Sequence, residues 1–149
     1  MGLGVTLGVI GAVISFGAAG TGSGIAMSMV GQAAAGVVAD DPRKFGQTLV
    51  LQAIGTTSGI YGLLIGFMIL LKSMTVTDVA AGMVLLAAGV PMGLVGCIAS
   101  IQQGKALVAG VQLIGKRSGE LAKVLIYAAM IETMQIFALL ISFLIYSNV

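Results

Sequence analysis

The chain has 149 residues, of which 58% are hydrophobic and 8% charged, with a formal net charge of +2 and a mean hydropathy of +1.14. An average soluble domain is about one quarter charged, so this composition excludes an ordinary water-soluble domain, a disordered tail and a nucleic-acid binder. A single cysteine, Cys97, and no histidine exclude an internal disulfide and a cysteine-cluster metal site, and leave zinc, haem and triad chemistry without their usual groups.

Crossing about 30 Å of hydrocarbon takes roughly 20 apolar residues. Residues 1–39 contain no charge and hold a first long helix. After Asp40-Asp41-Pro42-Arg43-Lys44, a polar turn with a proline stop, residues 45–71 form a second charge-free stretch. Residues 72–78 lead to a third over 79–104, which continues past Lys105 to about 115, with Thr77 or Asp78 as its N-cap. Pro91 predicts a kink within it. The turn Lys116-Arg117-Ser118-Gly119-Glu120 precedes a fourth span over 124–149, interrupted only by Glu132. Backbone in lipid must satisfy its own hydrogen bonds, and the strand-like alternation of a barrel is absent. The expected fold is therefore all-α: one membrane domain, 1–149, of four transmembrane helices in two hairpins, about 1–73 and 74–149.

The first and last turns carry Arg43, Lys44, Lys116 and Arg117, with Lys123 close by, whereas the opposite side carries only Lys72. The positive-inside rule places those turns in the cytoplasm and both termini outside. The start lacks a basic n-region, so no cleaved signal peptide is expected.

The two halves look like copies inserted the same way round. Gly31-Gln32-Ala33-Ala34-Ala35-Gly36 parallels the run from Gly104 to Gly110, and Leu63-Leu64-Ile65-Gly66-Phe67 parallels Leu139-Leu140-Ile141-Ser142-Phe143. These matches drift in spacing, which calls for a small gap. The first and third helices are rich in glycine, suiting a tightly packed inner layer. The second and fourth carry more bulk, with Tyr61, Phe67, Tyr127, Phe137 and Phe143, and suit an outer layer.

Glu132 lies about 14 residues, or roughly 20 Å, from the last turn, near mid-membrane. A charge there is costly, and an intramembrane carboxylate is a functional candidate by default. Counting equally far along the neighbouring helices reaches Gln102 or Gln103 on the third, and Thr56-Thr57-Ser58-Gly59 followed by Tyr61 on the second. Hydroxyls, an amide and a carboxylate at one depth are hard oxygen ligands, suited to a proton or a small alkali cation. The first half has no carboxylate at the matching depth.

These residues resemble the membrane proteolipid of vacuolar-type ATPases, the K or c-ring subunit. The resemblance covers essentially the whole chain and is carried by Tyr127-Ala128-Ala129-Met130-Ile131-Glu132-Thr133, by Gln103-Gly104-Lys105, and by Leu49-Val50-Leu51-Gln52 through Gly59-Ile60-Tyr61-Gly62. It implies a non-catalytic subunit, several identical copies of which close into a rotor ring in a prokaryotic cytoplasmic membrane. Glu132 would exchange Na+ or H+ with a stator subunit bearing an essential Arg. A separate soluble head would hydrolyse ATP, and a central stalk would meet the cytoplasmic turns. It implies lipid around the ring, no nucleic acid and no tightly bound cofactor. Sodium-carrying members suggest Glu132, Gln103, Thr57 and a backbone carbonyl near Ile54 as ion ligands, with Tyr61 holding the carboxylate closed. Ser58 is a further candidate ion ligand that departs from them, since those members often place a longer Gln there, and it reaches the ion only where the backbone is closer or water intervenes. The set leans towards sodium, with the ion left open. A passive channel or small carrier, and a structural membrane scaffold, remain the alternatives.

Overall fold

The computed structural model describes residues 2–149 as five α-helices and two 3₁₀ turns. In chain order they are α1 (Leu3–Asp40), a turn at Pro42–Lys44, α2 (Phe45–Ile54), α3 (Thr57–Ser73), α4 (Val79–Lys116), a turn at Ser118–Glu120, and α5 (Leu121–Tyr146). Met1, where the first expected span begins, lies outside the described residues. Grouped by span, α1, α2 with α3, α4, and α5 give four helical segments long and apolar enough to cross a membrane. Large apolar side chains stay exposed along them, Phe67, Phe137 and Leu144 among them, as lipid contact requires. The chain is an integral membrane protein.

α1 and α4 share the most extensive contact in the molecule and run parallel along their whole length. Glycine makes this possible. A Cβ added at Gly11 would lie 2.5 Å from the Leu85 carbonyl oxygen, and one at Gly22 would lie 2.5 Å from that of Cys97. Gly4, Gly82 and Gly89 meet the opposite backbone just as closely. In lipid, where apolar burial gives little drive for association, such backbone approach supplies the packing energy. α3 lies on α1, with Gly62 and Gly66 against the Ser15 and Ala12 carbonyls and Ser15 Oγ donating to Gly62 O at 3.0 Å. α5 lies antiparallel on α4, where Gly110 receives Val124.

The second span departs from what the sequence predicts: it is not one helix. Gly55 and Thr56 bond back three residues, to Gln52 O at 3.1 Å and Ala53 O at 3.0 Å, so the helix breaks between Ile54 and Thr57. A glycine followed by three hydroxyl residues explains this, because short hydroxyls compete for nearby carbonyls. Thr56 Oγ1 donates to Ala53 O at 2.7 Å. The third span runs through Pro91 as a single helix to Lys116, as expected. The N–H of Met92, next to the proline, donates across to Ser142 Oγ on α5 at 3.0 Å. Asp78 precedes α4, but its side chain makes no capping hydrogen bond.

Leu3 and Val79, Asp40 and Lys116, Pro42 and Ser118, and Phe45 and Leu121 each stand 76 residues apart. The elements thus repeat at a constant interval and the expected gap is not needed. The match between Gly31 and Gly104 is out of this register and reflects low-complexity apolar sequence.

At the charged end Asp41 caps the first turn, accepting from Arg43 N at 3.1 Å and pairing with its guanidinium Nε at 3.0 Å. Lys44 Nζ reaches the end of α4 and donates to Ile114 O at 2.9 Å and to Gly115 O, where a cation complements the helix dipole.

Gly11→Val should lower the melting temperature of the detergent-solubilised chain, since overpacking a close contact costs about 1–3 kcal/mol. Gly36→Ala, at a position where an added Cβ meets nothing within 4 Å, should leave it unchanged or slightly raised. The hydrogen bonds and charge of Arg43 hold the Asp41 carboxyl below its usual 3.8. Its stabilisation is therefore present above pH 3.8 and lost as pH falls through the lowered folded value. The melting-temperature deficit of Asp41→Asn should be constant above that pH and shrink below it.

Candidate functional site

The buried apolar side chains form two clusters. One gathers Ala12, Ile65, Ile69, Leu85, Met92 and Ala138 at the end away from the basic turns, and the other gathers Val30, Leu51, Leu107, Val111, Ile114 and Val124 near them. Between the two lies a polar layer. Ser23, Ser58, Ser100, Gln103 and Gln135 are all buried there, with Glu132 and Tyr61 half-buried beside them.

Tyr61 Oη donates to Glu132 Oε1 at 3.0 Å, joining α3 to α5. After the helix break α3 starts at Thr57, and Gly59 N donates to Ser23 Oγ at 2.8 Å, fixing α3 against α1 one half-turn before Tyr61. Thr57 Oγ1 donates to Ile54 O at 3.0 Å, so two of the expected oxygens are adjacent at the break. Ser58 turns instead to α4, where its hydroxyl donates to Gly96 O at 2.9 Å. That bond uses the hydroxyl hydrogen and leaves the oxygen's lone pairs, as the bond from Thr57 to Ile54 O does.

Gln103 is fully buried. Its Nε2 donates to Ala128 O at 3.1 Å, the carbonyl one turn before Glu132 on α5. Its Oε1 accepts from Gln135 Nε2 at 3.2 Å. Gln102, the other amide at this depth in the sequence, is exposed. Gln135 is not among the residues that the sequence singles out. The available signal was its position three residues after Glu132, which places both on one face of a helix.

Among the described residues there is no group of three or more His, Cys, Asp or Glu able to hold a metal ion. The donors in the layer are a carboxylate, amides, hydroxyls and a helix-end carbonyl. Such hard oxygens match an alkali cation, or a proton on the carboxyl, rather than a softer transition metal.

The sequence profile of a known family, the C-subunit of ATP synthase, matches this chain twice, over residues 10–69 and 86–145. The chain belongs to the ATP synthase C-subunit family. It is similar to the V-type sodium ATPase subunit K of Enterococcus hirae, with 39% identity over 129 residues, covering 87% of this chain and 83% of that protein. It is also similar to the A-type ATP synthase subunit K of Methanocaldococcus jannaschii, with 40% identity over 139 residues. That match covers 93% of this chain but only 61% of the methanogen protein. The chain is therefore a membrane proteolipid, a non-catalytic rotor-type subunit with a role in ion translocation by a rotary ATPase. The two family segments stand at the same 76-residue interval as the helices. In that register Thr56 occupies the position of Glu132, Met27 that of Gln103 and Phe137 that of Tyr61. The first copy thus lacks the carboxylate and the amide, while it supplies the hydroxyls.

Tyr61→Phe removes one hydrogen bond from Glu132 and nothing from the apolar packing. It should leave stability within about 1.5 kcal/mol of the parent. The rate at which a carbodiimide labels Glu132 should rise severalfold, read by mass of the labelled chain.

Proposed function

We propose that this chain is the ion-carrying subunit of a closed rotor ring, and that Glu132 carries one Na+ per chain across the membrane, coupled to ATP hydrolysis in a separate soluble head. The observation that carries the reading is the Tyr61–Glu132 hydrogen bond at mid-membrane, in a layer of oxygen donors between two apolar clusters. A carboxylate crossing lipid must be neutralised by a proton or a bound cation. It must ionise in front of a stator positive charge, because an opposite charge favours the ionised form. The ion must also be held weakly enough to leave.

In this reading Glu132, Gln103, Thr57 and the Ile54 carbonyl are the ligands, and Tyr61 holds the carboxylate closed. Ser58 is a positioning residue that ties α3 to α4. Sodium is favoured over the proton by the number of oxygens gathered, since a proton needs only the carboxyl. The Enterococcus relative is a subunit of a sodium ATPase, which supports the same ion.

The chain comprises tandem hairpins, about 1–73 and 74–149, with α1 and α4 towards the inside of the ring and α3 and α5 towards the stator. The basic turns face the cytoplasm of a prokaryotic cell, both termini face outside, and the central stalk meets the turns around residues 40–44 and 116–120.

Carbodiimide labelling of Glu132 in the purified oligomer, across pH and with or without sodium, tests the ion. The reagent attacks the protonated carboxyl. Protection by millimolar sodium, and not by matched potassium, is the expected result. Labelling that follows pH alone would make the ring a proton carrier and leave Thr57 and Gln103 as structural groups. Glu132→Gln should abolish ATP-driven transport while the ring still assembles, and unchanged function in that variant would return the chain to a scaffold.

A further inference from the structure

Two buried polar atoms in the layer have no hydrogen-bond partner: Gln135 Oε1 on α5 and Ser100 Oγ on α4. Both residues are fully buried. An orphaned buried acceptor is destabilising, so an unpartnered amide oxygen in this layer favours the approach of a donor or a cation.

The two atoms stand at one level. The pairings Met92–Ser142 and Gly110–Val124 set the antiparallel register of α4 and α5. In that register Ser100 faces the turn of α5 that holds Gln135. Ser100 also lies one turn before Gln103 on the same face of α4, and Gln103 Oε1 already receives the Gln135 amide N–H at 3.2 Å. The amide of Gln135 is thereby oriented: its nitrogen is spent on Gln103 and its oxygen is left free. At the matching position of the first hairpin stands Gly59.

We infer that Gln135 Oε1 is an additional ligand of the carried cation, beside the oxygens expected from sequence. The inference rests on the sodium reading above and extends it to a residue outside the set expected from sequence. Gln135 supplies a long amide from α5 where Ser58 on α3 is short and bound to Gly96 O. Its anchor on Gln103 also keeps the Gln103 oxygen turned into the layer, since the Gln103 nitrogen is held by Ala128 O. An amide oxygen contributes to binding Na+ but has no charge to exchange with a proton. Gln135 therefore bears on sodium affinity and selectivity, and leaves the acid chemistry of Glu132 to the carboxyl and Tyr61.

The test uses the purified assembled oligomer and measures the sodium concentration that half-protects Glu132 from carbodiimide. Gln135→Met keeps length and burial and removes the strong acceptor. Gln135→Ala is a second variant, which removes the amide altogether. Ser142→Ala, another buried polar change on α5, controls for general loosening. Gln135→Met and Gln135→Ala should each raise the half-protecting sodium concentration at least tenfold, with the pH midpoint of labelling without sodium unmoved. Ser142→Ala should leave the sodium value within twofold. Values within twofold of the parent for both Gln135 variants would overturn the inference and leave a buried water as the partner of Oε1. Loss of the oligomer in both would assign Gln135 to packing and overturn it too. A parent oligomer that sodium does not protect at all would sink the sodium reading itself, an outcome distinct from a protected parent with unaffected variants.

Discussion

A lone carboxylate near the middle of a bilayer has to be partnered wherever it sits, and much of this molecule is arranged around Glu132. The apolar core is split at its depth, and the split is filled by hydroxyls and amides drawn from four helices. Tyr61 reaches it from α3, and Gln103 and Gln135 brace the α5 turns on either side of it from α4 and from α5 itself. Such a network is worth most when every group is satisfied, because the low dielectric that strengthens each bond also penalises each orphan. Within the network Gln135 keeps a free oxygen, and Ser100 is unpartnered at the same level. If Glu132 takes up and releases an ion as proposed, such positions are where the ion would find its oxygens.

The rest of the fold makes that layer possible by holding four spans at fixed depth. Glycine lets α1 and α4 meet backbone to backbone, so neither can slide without clashing. α3 and α5 are then hung on this parallel pair through Ser15, Ser23, Ser58 and Ser142, each hydroxyl bonding backbone on a facing helix. Small hydroxyls serve two purposes here: they permit close approach and they satisfy groups that lipid cannot. The break after Ile54 belongs to the same economy of space. It places the Ile54 carbonyl against the Thr57 hydroxyl, on the span whose Tyr61 meets Glu132.

Much of this was legible from the sequence. Charge-free stretches and basic turns mark four spans, and one carboxylate far from any turn marks the site. Counting equal distances along facing helices puts Tyr61 near the depth of Glu132, and the family resemblance is what implies their contact. Other features were not legible, for physical reasons. Gly55 and Thr56 are tolerated inside membrane helices, so nothing in composition says that they break one. Apolar low complexity lets Gly31 and Gly104 pair by chance and hides the constant 76-residue interval that the helices display. Gln102 and Gln103 differ by one residue and about 100° around the helix, and only the packing of α5 decides that Gln103 is the buried one. Gln135 was within reach, since a second amide three residues from Glu132 shares its face. Its meaning depends on the bond to Gln103, which no spacing rule reveals.

Sodium binding to the purified oligomer at equilibrium, counted with a radioactive tracer against chain concentration, tests the central claim most directly. The account predicts one sodium per chain, displaced as pH falls and abolished by Glu132→Gln. Saturable binding that survives Glu132→Gln, or no sodium bound at any pH where the carboxyl is ionised, would contradict it.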